Sequence, residues 1–279
     1  MEGPVLRRIR AFALAAVVTL AGGGAAANDA APLTLPPGYA LVWADEFDGE
    51  GAPDATRWTA DTAANRTGWH NNELQYYAAE NARIGGGVLR IEARRETPRH
   101  RPDWGGQDYT SARLISRGKG EWTYGFFEIR ARLPCGKGTW PAIWLLGRDG
   151  EWPDAGELDI MEQVGAAPTR IFSTVHTASG SGGDGAGGAT HLADACTAFH
   201  VYQMDWTGER VRFGVDGRVH FSYRKLGRGP AQWPFDAPQF LILNLAVGGD
   251  LGGPVDAAAL PALMEIDYVR VYQRAVPPR

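Results

Sequence analysis

The sequence lacks the features that mark several large classes of protein. Only 2 of its 279 residues are cysteine, so it can form at most one intramolecular disulfide bridge. Basic residues do not outnumber acidic ones: 28 Lys and Arg stand against 32 Asp and Glu, and the formal net charge of −4 argues against a nucleic-acid surface. No segment keeps a helical period over three turns, and no apolar run reaches the roughly 20 residues that span a bilayer.

The N-terminus has the three parts of a secretory signal peptide. Three arginines lie within residues 7–10, residues 11–20 are apolar, and residues 25–27 offer an A-x-A cleavage site. The sequence therefore predicts a signal peptide over residues 1–27. We expect a secreted or periplasmic protein with no membrane attachment after cleavage; an uncleaved membrane anchor is the alternative.

Export makes a disulfide chemically permissible, and the two cysteines are Cys135 and Cys196. One bridge between them is the economical interpretation. Two independent thiols remain the alternative, because a sequence does not show whether the two side chains are close in space.

Apolar residues, glycine and tryptophan are abundant. With 44% hydrophobic and 22% charged residues, the chain can bury a sizeable core, which excludes disorder as a global description. The 37 glycines indicate many tight turns. The 10 tryptophans favour sugar binding, because a pyranose has apolar faces that lie flat on indole rings. Tryptophans packed in the core are the alternative.

After a short Ala/Pro-rich linker over residues 28–38, short alternating segments follow one another with turn residues between them. Asp216 and Gly217 separate two such segments, which predicts a β-hairpin. Residues 240–247 are mostly apolar on both faces, as in a strand in the middle of two packed sheets. The composition of residues 178–189 predicts a flexible loop. The pattern as a whole predicts an all-β sandwich or barrel.

Three carboxylates lie close together on one predicted strand. In a regular strand Glu157 and Asp159 share a face, whereas Glu162 points into the core, where a charge is costly. A β-bulge near Ile160 and Met161 would return Glu162 to the acidic face. Glycoside hydrolysis uses two carboxylates that flank the sugar bond, so this strand is a candidate catalytic element. A solvated acidic edge and a calcium ligand set are the alternatives.

Three tryptophans precede the acidic strand. Trp140 and Trp144 are an even number of residues apart and share a face of a strand, and Trp152 lies just before the acids. Aromatic side chains immediately upstream of paired acids favour the walls of a sugar groove.

Together these motifs resemble the family-16 glycoside hydrolases of the laminarinase type. The matching stretches are Asp45-Glu46-Phe47-Asp48, Asn71-Asn72-Glu73-Leu74-Gln75-Tyr76-Tyr77, Thr110-Ser111-Ala112-Arg113, the block around Trp140, the acidic strand, Leu243-Asn244-Leu245-Ala246-Val247-Gly248-Gly249 and Asp267-Tyr268-Val269-Arg270-Val271-Tyr272. The resemblance covers about residues 39–273. It implies a concanavalin A-like β-jelly roll of two curved antiparallel sheets with an open substrate cleft, within a catalytic domain of residues 39–275.

The resemblance also implies a role for each acid. Glu157 becomes the nucleophile, Glu162 the acid/base and Asp159 the assisting carboxylate. The residues that would line the sugar subsites are Asn72, Arg113, Trp140, Trp144, Trp152 and His176. His70 stands where members more often have Gly, which affects the expected shape of the cleft end and its outer subsites.

A structural metal is implied as well. Glu46, Gly87 and Asp267 match a calcium site of many members on the convex side, and hard oxygen ligands suit Ca²⁺. No cofactor is expected for catalysis.

The resemblance predicts a secreted, monomeric, retaining endo-β-1,3-glucanase whose partner is its polysaccharide substrate. The spacing of the acids, with two residues between Asp159 and Glu162, resembles that of β-1,3-glucanases rather than that of mixed-linkage lichenases. A mixed-linkage β-1,3-1,4-glucanase, or another family-16 hydrolase or transglycosylase, is the alternative. A non-catalytic glucan-binding protein is a further class, but such relatives typically lose catalytic Glu residues, and all three acids are present here.

Overall fold

A computed structural model of the protein describes residues 31–275. The predicted signal peptide over residues 1–27 lies outside the described residues. Within them, no helix has the length and apolar character needed to cross a membrane.

The described chain is built almost entirely from β-strands. In chain order they are β1 Tyr39–Asp45, β2 Thr59–Ala60, β3 Gln75–Tyr77, β4 Ala82–Gly85, β5 Val88–Arg95, β6 Tyr109–Ser111, β7 Arg113–Ile115, β8 Glu121–Trp122, β9 Gly125–Arg132, β10 Thr139–Gly147, β11 Glu157–Gln163, β12 Arg170–His176, β13 Ala186–His191, β14 His200–Trp206, β15 Arg210–Val215, β16 Arg218–Arg224, β17 Gln239–Val247 and β18 Ala262–Arg274. A single α-helical turn, α1, covers Gly249–Gly252, and 3₁₀ turns cover His70–Asn72, Ala79–Asn81, Gly182–Asp184 and Ala257–Ala259.

The strands form two sheets, which confirms the predicted jelly-roll sandwich. Sheet A has ten strands in the order β16-β15-β14-β9-β18-β5-β6-β3, with β1 beside β18 and β4 beside β5. Sheet B has eight strands in the order β13-β12-β11-β10-β17-β7-β2, with β8 beside β17. All described pairings are antiparallel except that of β3 with β6. The acidic strand β11 lies inside sheet B, between β10 and β12.

The core lies between the two sheets and fixes which face of β17 looks inward. Leu241, Leu243 and Leu245 belong to the core cluster, and all nine residues of β17 are buried. Its other face is covered as well, which confirms the prediction of a strand that is apolar on both faces. Such a strand gives sheet B a closely packed centre beside β10, the strand that pairs with β11 on its other side.

The hairpin predicted at Asp216 and Gly217 joins β15 to β16. Both residues have positive φ, 50° and 77°, as a two-residue type I′ turn requires.

Two segments are more ordered than their composition suggests. Part of the glycine-rich segment 178–189 belongs to β13, the edge strand of sheet B, which packs against β16 of sheet A. Here glycine allows close approach of two strands rather than flexibility. In the segment assigned to a linker, Leu33 is fully buried and its N–H donates to the Gly217 carbonyl at 2.8 Å.

Cys135 and Cys196 form a disulfide, with their Cα atoms 5.7 Å apart. The bridge ties the segment after β9 to the segment before β14. The predicted pairing is confirmed.

Candidate active site

The bulge predicted on the acidic strand is present in β11. Each carboxylate has its own partner on β10: Glu157 lies opposite Leu146, Asp159 opposite Trp144 and Glu162 opposite Ala142. Because these β10 partners are two residues apart, they share a face, and so do the three carboxylates. The register with β12 also shifts between Asp159 and Glu162.

Two tryptophans donate hydrogen bonds to the outer carboxylates. The Nε1–H of Trp152 donates to Oε2 of Glu157 at 2.6 Å, and the Nε1–H of Trp140 donates to Oε1 of Glu162 at 2.9 Å. Trp140 is buried, whereas Trp152 is 51% exposed and presents its ring to solvent beside Glu157. Two of the six residues predicted to line sugar subsites therefore orient the two outer acids.

Asp159 lies between the outer carboxylates and is only 2% exposed. Its Oδ2 is 3.2 Å from Nε2 of His176, whose ring centroid is 6.2 Å from that of Trp152. Burial of Asp159 excludes a solvated acidic edge. Glu157, Asp159 and His176 each have one possible metal-ligand atom within 4.8 Å of those of the other two. An imidazole nitrogen is not a ligand that calcium favours, so this set does not match the calcium alternative.

Burial disfavours the ionised form of all three carboxyl groups and so raises the pKa of each. It raises the pKa of Glu157 to about 8, and the charge of Asp159 acts in the same direction. It raises the pKa of Glu162 to about 7, with the Trp140 N–H opposing and the charge of Glu157 adding to the rise. The pKa of Asp159 lies well above its ordinary value through burial and the charge of Glu162. The site therefore retains protons at neutral pH.

These shifts predict a cost in stability at high pH. The unfolded chain ionises Glu162 near its ordinary pKa of 4.5, whereas the folded protein holds that proton up to about 7. Stability is therefore lost as pH rises between these values, at about 1.4 kcal/mol per pKa unit. We expect Glu162→Gln, which cannot ionise, to raise Tm at pH 8 by about 5 °C or more and to leave it unchanged at pH 4.

Calorimetry at the two pH values tests this prediction. Glu209→Gln, at an exposed position, is the control and should show no pH-dependent gain. An equal Tm change for Glu162→Gln at pH 4 and pH 8 would contradict the stated origin of the effect.

Trp144 and Arg113 form a stacked pair on the same face of sheet B. The Arg113 guanidinium lies 4.8 Å from the ring centroid of Trp144 and 5.2 Å from that of Trp69. Asp61 accepts a hydrogen bond from Nε of Arg113 at 2.9 Å, which fixes the guanidinium over the rings. This pair extends an aromatic surface away from the carboxylates along β10 and β7.

Sequence reasoning did not identify the chain of hydrogen bonds behind Trp144. Trp144 Nε1–H donates to Asn244 at 2.7 Å, Asn244 donates to the Tyr77 hydroxyl at 3.1 Å, and Tyr77 donates to Glu73 at 3.3 Å. Gln75 also donates to Glu73, at 2.7 Å. A signal was available, because Asn244 is a polar residue in an otherwise apolar buried strand and must find partners.

Asn72 lies beside the helical turn α1. Its side chain donates to Asp250 of α1 at 2.8 Å, and it has a positive φ of 54°. A Cβ built on Gly252 of α1 would lie 3.5 Å from the Trp140 Cβ, so this turn borders the Trp140 end of the site. The predicted site residues thus divide into a group around the carboxylates, a stacked pair, and Asn72 at one end.

The residues of the predicted calcium site lie on sheet A, away from the carboxylates. Glu46 directly follows β1 and Gly87 lies in the turn between β4 and β5, while β1 and β5 each pair with β18, which carries Asp267. Arg270 donates two hydrogen bonds of 2.8 Å to Glu46, and Arg130 is ion-paired with Asp267. Their oxygen chemistry fits a hard cation, with Gly87 offering its backbone carbonyl.

We propose that calcium binds there and stabilises the fold by mass action. At 100 times its Kd the ion would add about 2.7 kcal/mol, which corresponds to about 5–10 °C in Tm. Melting in excess Ca²⁺ and in excess chelator measures the effect, and Asp267→Asn should reduce it. A Tm that is the same in both solutions would argue against the site.

Comparison with known proteins places this arrangement in context. The sequence profile of glycosyl hydrolases family 16 matches residues 55–270. A beta-glucanase of Rhodothermus marinus is 46% identical over 285 residues, which cover 96% of this chain and 95% of that protein.

Solved structures give the same result. SCLam, a non-specific endo-beta-1,3(4)-glucanase, is 49% identical with a TM-score of 0.86, covering 88% of this chain and 96% of that one. The laminarinase from Rhodothermus marinus is 47% identical with a TM-score of 0.80, covering 85% and 98%. The similarity therefore extends over most of the length of each protein.

Proposed function

The chain belongs to glycosyl hydrolases family 16, and on that premise we propose that it is a secreted, retaining endo-glycosidase that hydrolyses β-1,3-glucan. The observation that supports this most strongly is the bulged strand β11, which sets three carboxylates on one face beside tryptophans that donate to two of them. Carboxylates in pairs and aromatic walls are what cleavage of a sugar chain requires.

The first step uses both outer carboxylates. The Glu157 carboxylate forms a bond to the anomeric carbon while the bond to the glycosidic oxygen breaks, and Glu162 gives its proton to that oxygen. The Trp152 N–H holds Glu157, and the Trp140 N–H holds Glu162. In the second step Glu162 takes a proton from water, the water oxygen bonds to the anomeric carbon, and Glu157 departs. Two inversions retain the configuration.

The proton distribution needs Asp159. Taken separately, a pKa of about 8 for Glu157 and about 7 for Glu162 would make Glu157 the acid, the reverse of the proposed roles. However, the charge of Asp159 is one cause of the high value at Glu157. When Asp159 is protonated that charge is gone, and its O–H can donate a hydrogen bond to the Glu157 carboxylate, which then stays ionised. Asp159 therefore keeps the nucleophile charged by holding the proton the pair shares.

A mixed-linkage activity is the second candidate. Its support is the likeness to SCLam, whose name describes a non-specific endo-beta-1,3(4)-glucanase at 49% identity. A purely glucan-binding protein would not need three acids packed together at a cost in stability, so the retained acids favour turnover.

A product profile distinguishes these functions. The protein is incubated with laminarin, lichenan and agarose, and the oligosaccharides released are separated and identified by mass spectrometry. We expect short oligosaccharides from laminarin early in the reaction, as internal cleavage gives. Comparable rates on lichenan would establish the mixed-linkage activity, and binding to laminarin without release of reducing ends would overturn both enzymatic functions.

Secretion is proposed from residues 1–27 alone. We expect the exported protein to begin at Asn28, and the N-terminal sequence of material from the culture medium or periplasm checks it. Full-length protein retained in the membrane fraction would support the uncleaved anchor instead.

A further inference from the structure

The bulge in β11 leaves one residue outside both neighbouring ladders. Ile160 has no partner in the register of β11 with β10 or with β12, and it is 1% exposed. A bulge residue of this kind leaves backbone groups unpaired by the ladder. A buried carbonyl without a partner costs free energy, so something else must satisfy it.

Ser173 is the residue of β12 that faces the bulge. Its neighbours Thr174 and Phe172 pair with the residues on either side of the irregularity. Ser173 is fully buried, and its hydroxyl donates to the Ile160 carbonyl at 2.8 Å. A hydroxyl has one proton, so this bond leaves Ser173 only as an acceptor for any other partner.

His220 of β16 is that other partner. Its Nε2 lies 2.9 Å from the Ser173 oxygen. Because Ser173 has already given its proton to Ile160, the imidazole must donate, which fixes the Nε2–H tautomer of a neutral ring. Nδ1 has no hydrogen-bond partner among residues 31–275, and burial lowers the pKa of His220 to about 4, in keeping with a neutral ring.

Gly188 makes this contact between the two sheets sterically accessible. It is the partner of Ser173 on β13, and an added Cβ would lie 2.8 Å from the Phe221 Cβ and 2.9 Å from the His220 carbonyl oxygen. With glycine there, β16 of sheet A approaches the edge of sheet B closely enough for His220 to reach Ser173.

We propose that Ser173 and His220 are positioning residues that hold the bulge of β11 in register and so place Glu162 against Glu157. The proposal rests on the function proposed above, in which Glu162 is the acid/base. Glu157 and Asp159 precede the bulge and Glu162 follows it, so relaxation of the bulge displaces Glu162 from the other two. A misplacement of about 1 Å can cost about 10²-fold in rate.

The test compares two substrates. Ser173→Ala removes the donor to Ile160, and we expect kcat on laminarin to fall about 10- to 100-fold with KM changed less than about 3-fold. An aryl β-glycoside with an acidic phenol does not need a proton from Glu162 in the first step, and azide replaces the water that Glu162 activates in the second. Its turnover in the presence of azide should therefore fall less than about 3-fold. The ratio of the two rates is the signature, because general destabilisation would lower both alike.

Variants of neighbouring residues provide the controls. His220→Leu removes the donor to Ser173 and should shift the ratio of the two rates in the same direction as Ser173→Ala. His220→Gln keeps an N–H donor, so its ratio should be close to that of the wild type. Ser222→Ala is the matched control: Ser222 is also on β16, and its buried hydroxyl has no partner within the described part of the chain. Its ratio should equal that of the wild type. Should Ser173→Ala fail to fold, the two His220 variants carry the comparison.

Two results would overturn the proposal. One is a ratio in Ser173→Ala and His220→Leu equal to that of the wild type. The other is a ¹⁵N spectrum showing the His220 proton on Nδ1, which would reverse the chain of donors.

Glu162→Ala on the same substrates separates failure of this proposal from failure of the proposed function. If it loses activity on laminarin and on the aryl glycoside with azide alike, the role given to Glu162 is wrong. The positioning role is then judged on laminarin alone. A fall in kcat for Ser173→Ala and His220→Leu that His220→Gln restores supports it, and unchanged kcat overturns it.

Discussion

Glu157→Ala should lower kcat on laminarin by at least about 10⁴-fold, and turnover of activated aryl glycosides should be lost as well. The reason is that Glu157 supplies the electron pair that bonds to the anomeric carbon, and an easier leaving group does not replace a missing nucleophile. Steady-state assays on both substrates measure the loss. Trp152→Phe, which removes the 2.6 Å hydrogen bond to Glu157 and shortens the exposed aromatic ring but keeps the carboxylate, should cost far less than the loss of the carboxylate.

Azide gives this prediction a stereochemical check. In Glu157→Ala the space of the lost carboxylate admits azide on the nucleophile's side of the sugar. A single displacement of an activated leaving group then gives the α-glycosyl azide, which NMR identifies. Formation of the β-azide from this variant would mean that Glu157 is not the nucleophile. Glu209→Ala, at an exposed position, is the control for expression and folding.

The acidic strand could be predicted because it breaks a simple rule. Strict alternation would have buried Glu162 as a charge in the core, and a bulge was the cheapest local remedy. The structure has that bulge, with the register shift between Asp159 and Glu162. Sequence could not show what stabilises it, because Ser173 and His220 lie on strands of different sheets and meet only through the packing of β13 on β16.

Other features depended on contacts that local patterns do not encode. Glycine-rich residues 178–189 have the composition of a flexible loop, yet Gly188 is needed where two strands approach within the reach of one side chain. The order in which the carboxyl groups ionise also differs from the one that the assigned roles require, in which Glu157 ionises before Glu162. Burial raises the pKa of Glu157 to about 8, above that of Glu162, so the proposed roles require the proton of Asp159. Burial of each group is a property of the packed sheets, not of the strand sequence.

Glu162→Ala should separate substrates by their leaving groups. On laminarin, kcat should fall by about 10²- to 10⁴-fold, because the departing sugar hydroxyl needs a proton. Aryl glycosides with acidic phenols should keep their first step and be limited by the second, in which water has lost its base. Azide needs no base, so it should restore turnover and yield the β-glycosyl azide, with the configuration retained through the Glu157 intermediate.

The pH profile of the wild type makes the same assignment independently. Glu162 must be protonated for the first step, and its pKa is raised by burial to about 7, so activity on laminarin should fall as pH rises through that value. In Glu162→Ala this alkaline limb should disappear, leaving the acidic limb on which Glu157 must ionise. Persistence of the alkaline limb would assign the proton donor to another group. An α-azide from this variant would exchange the roles of the two carboxylates.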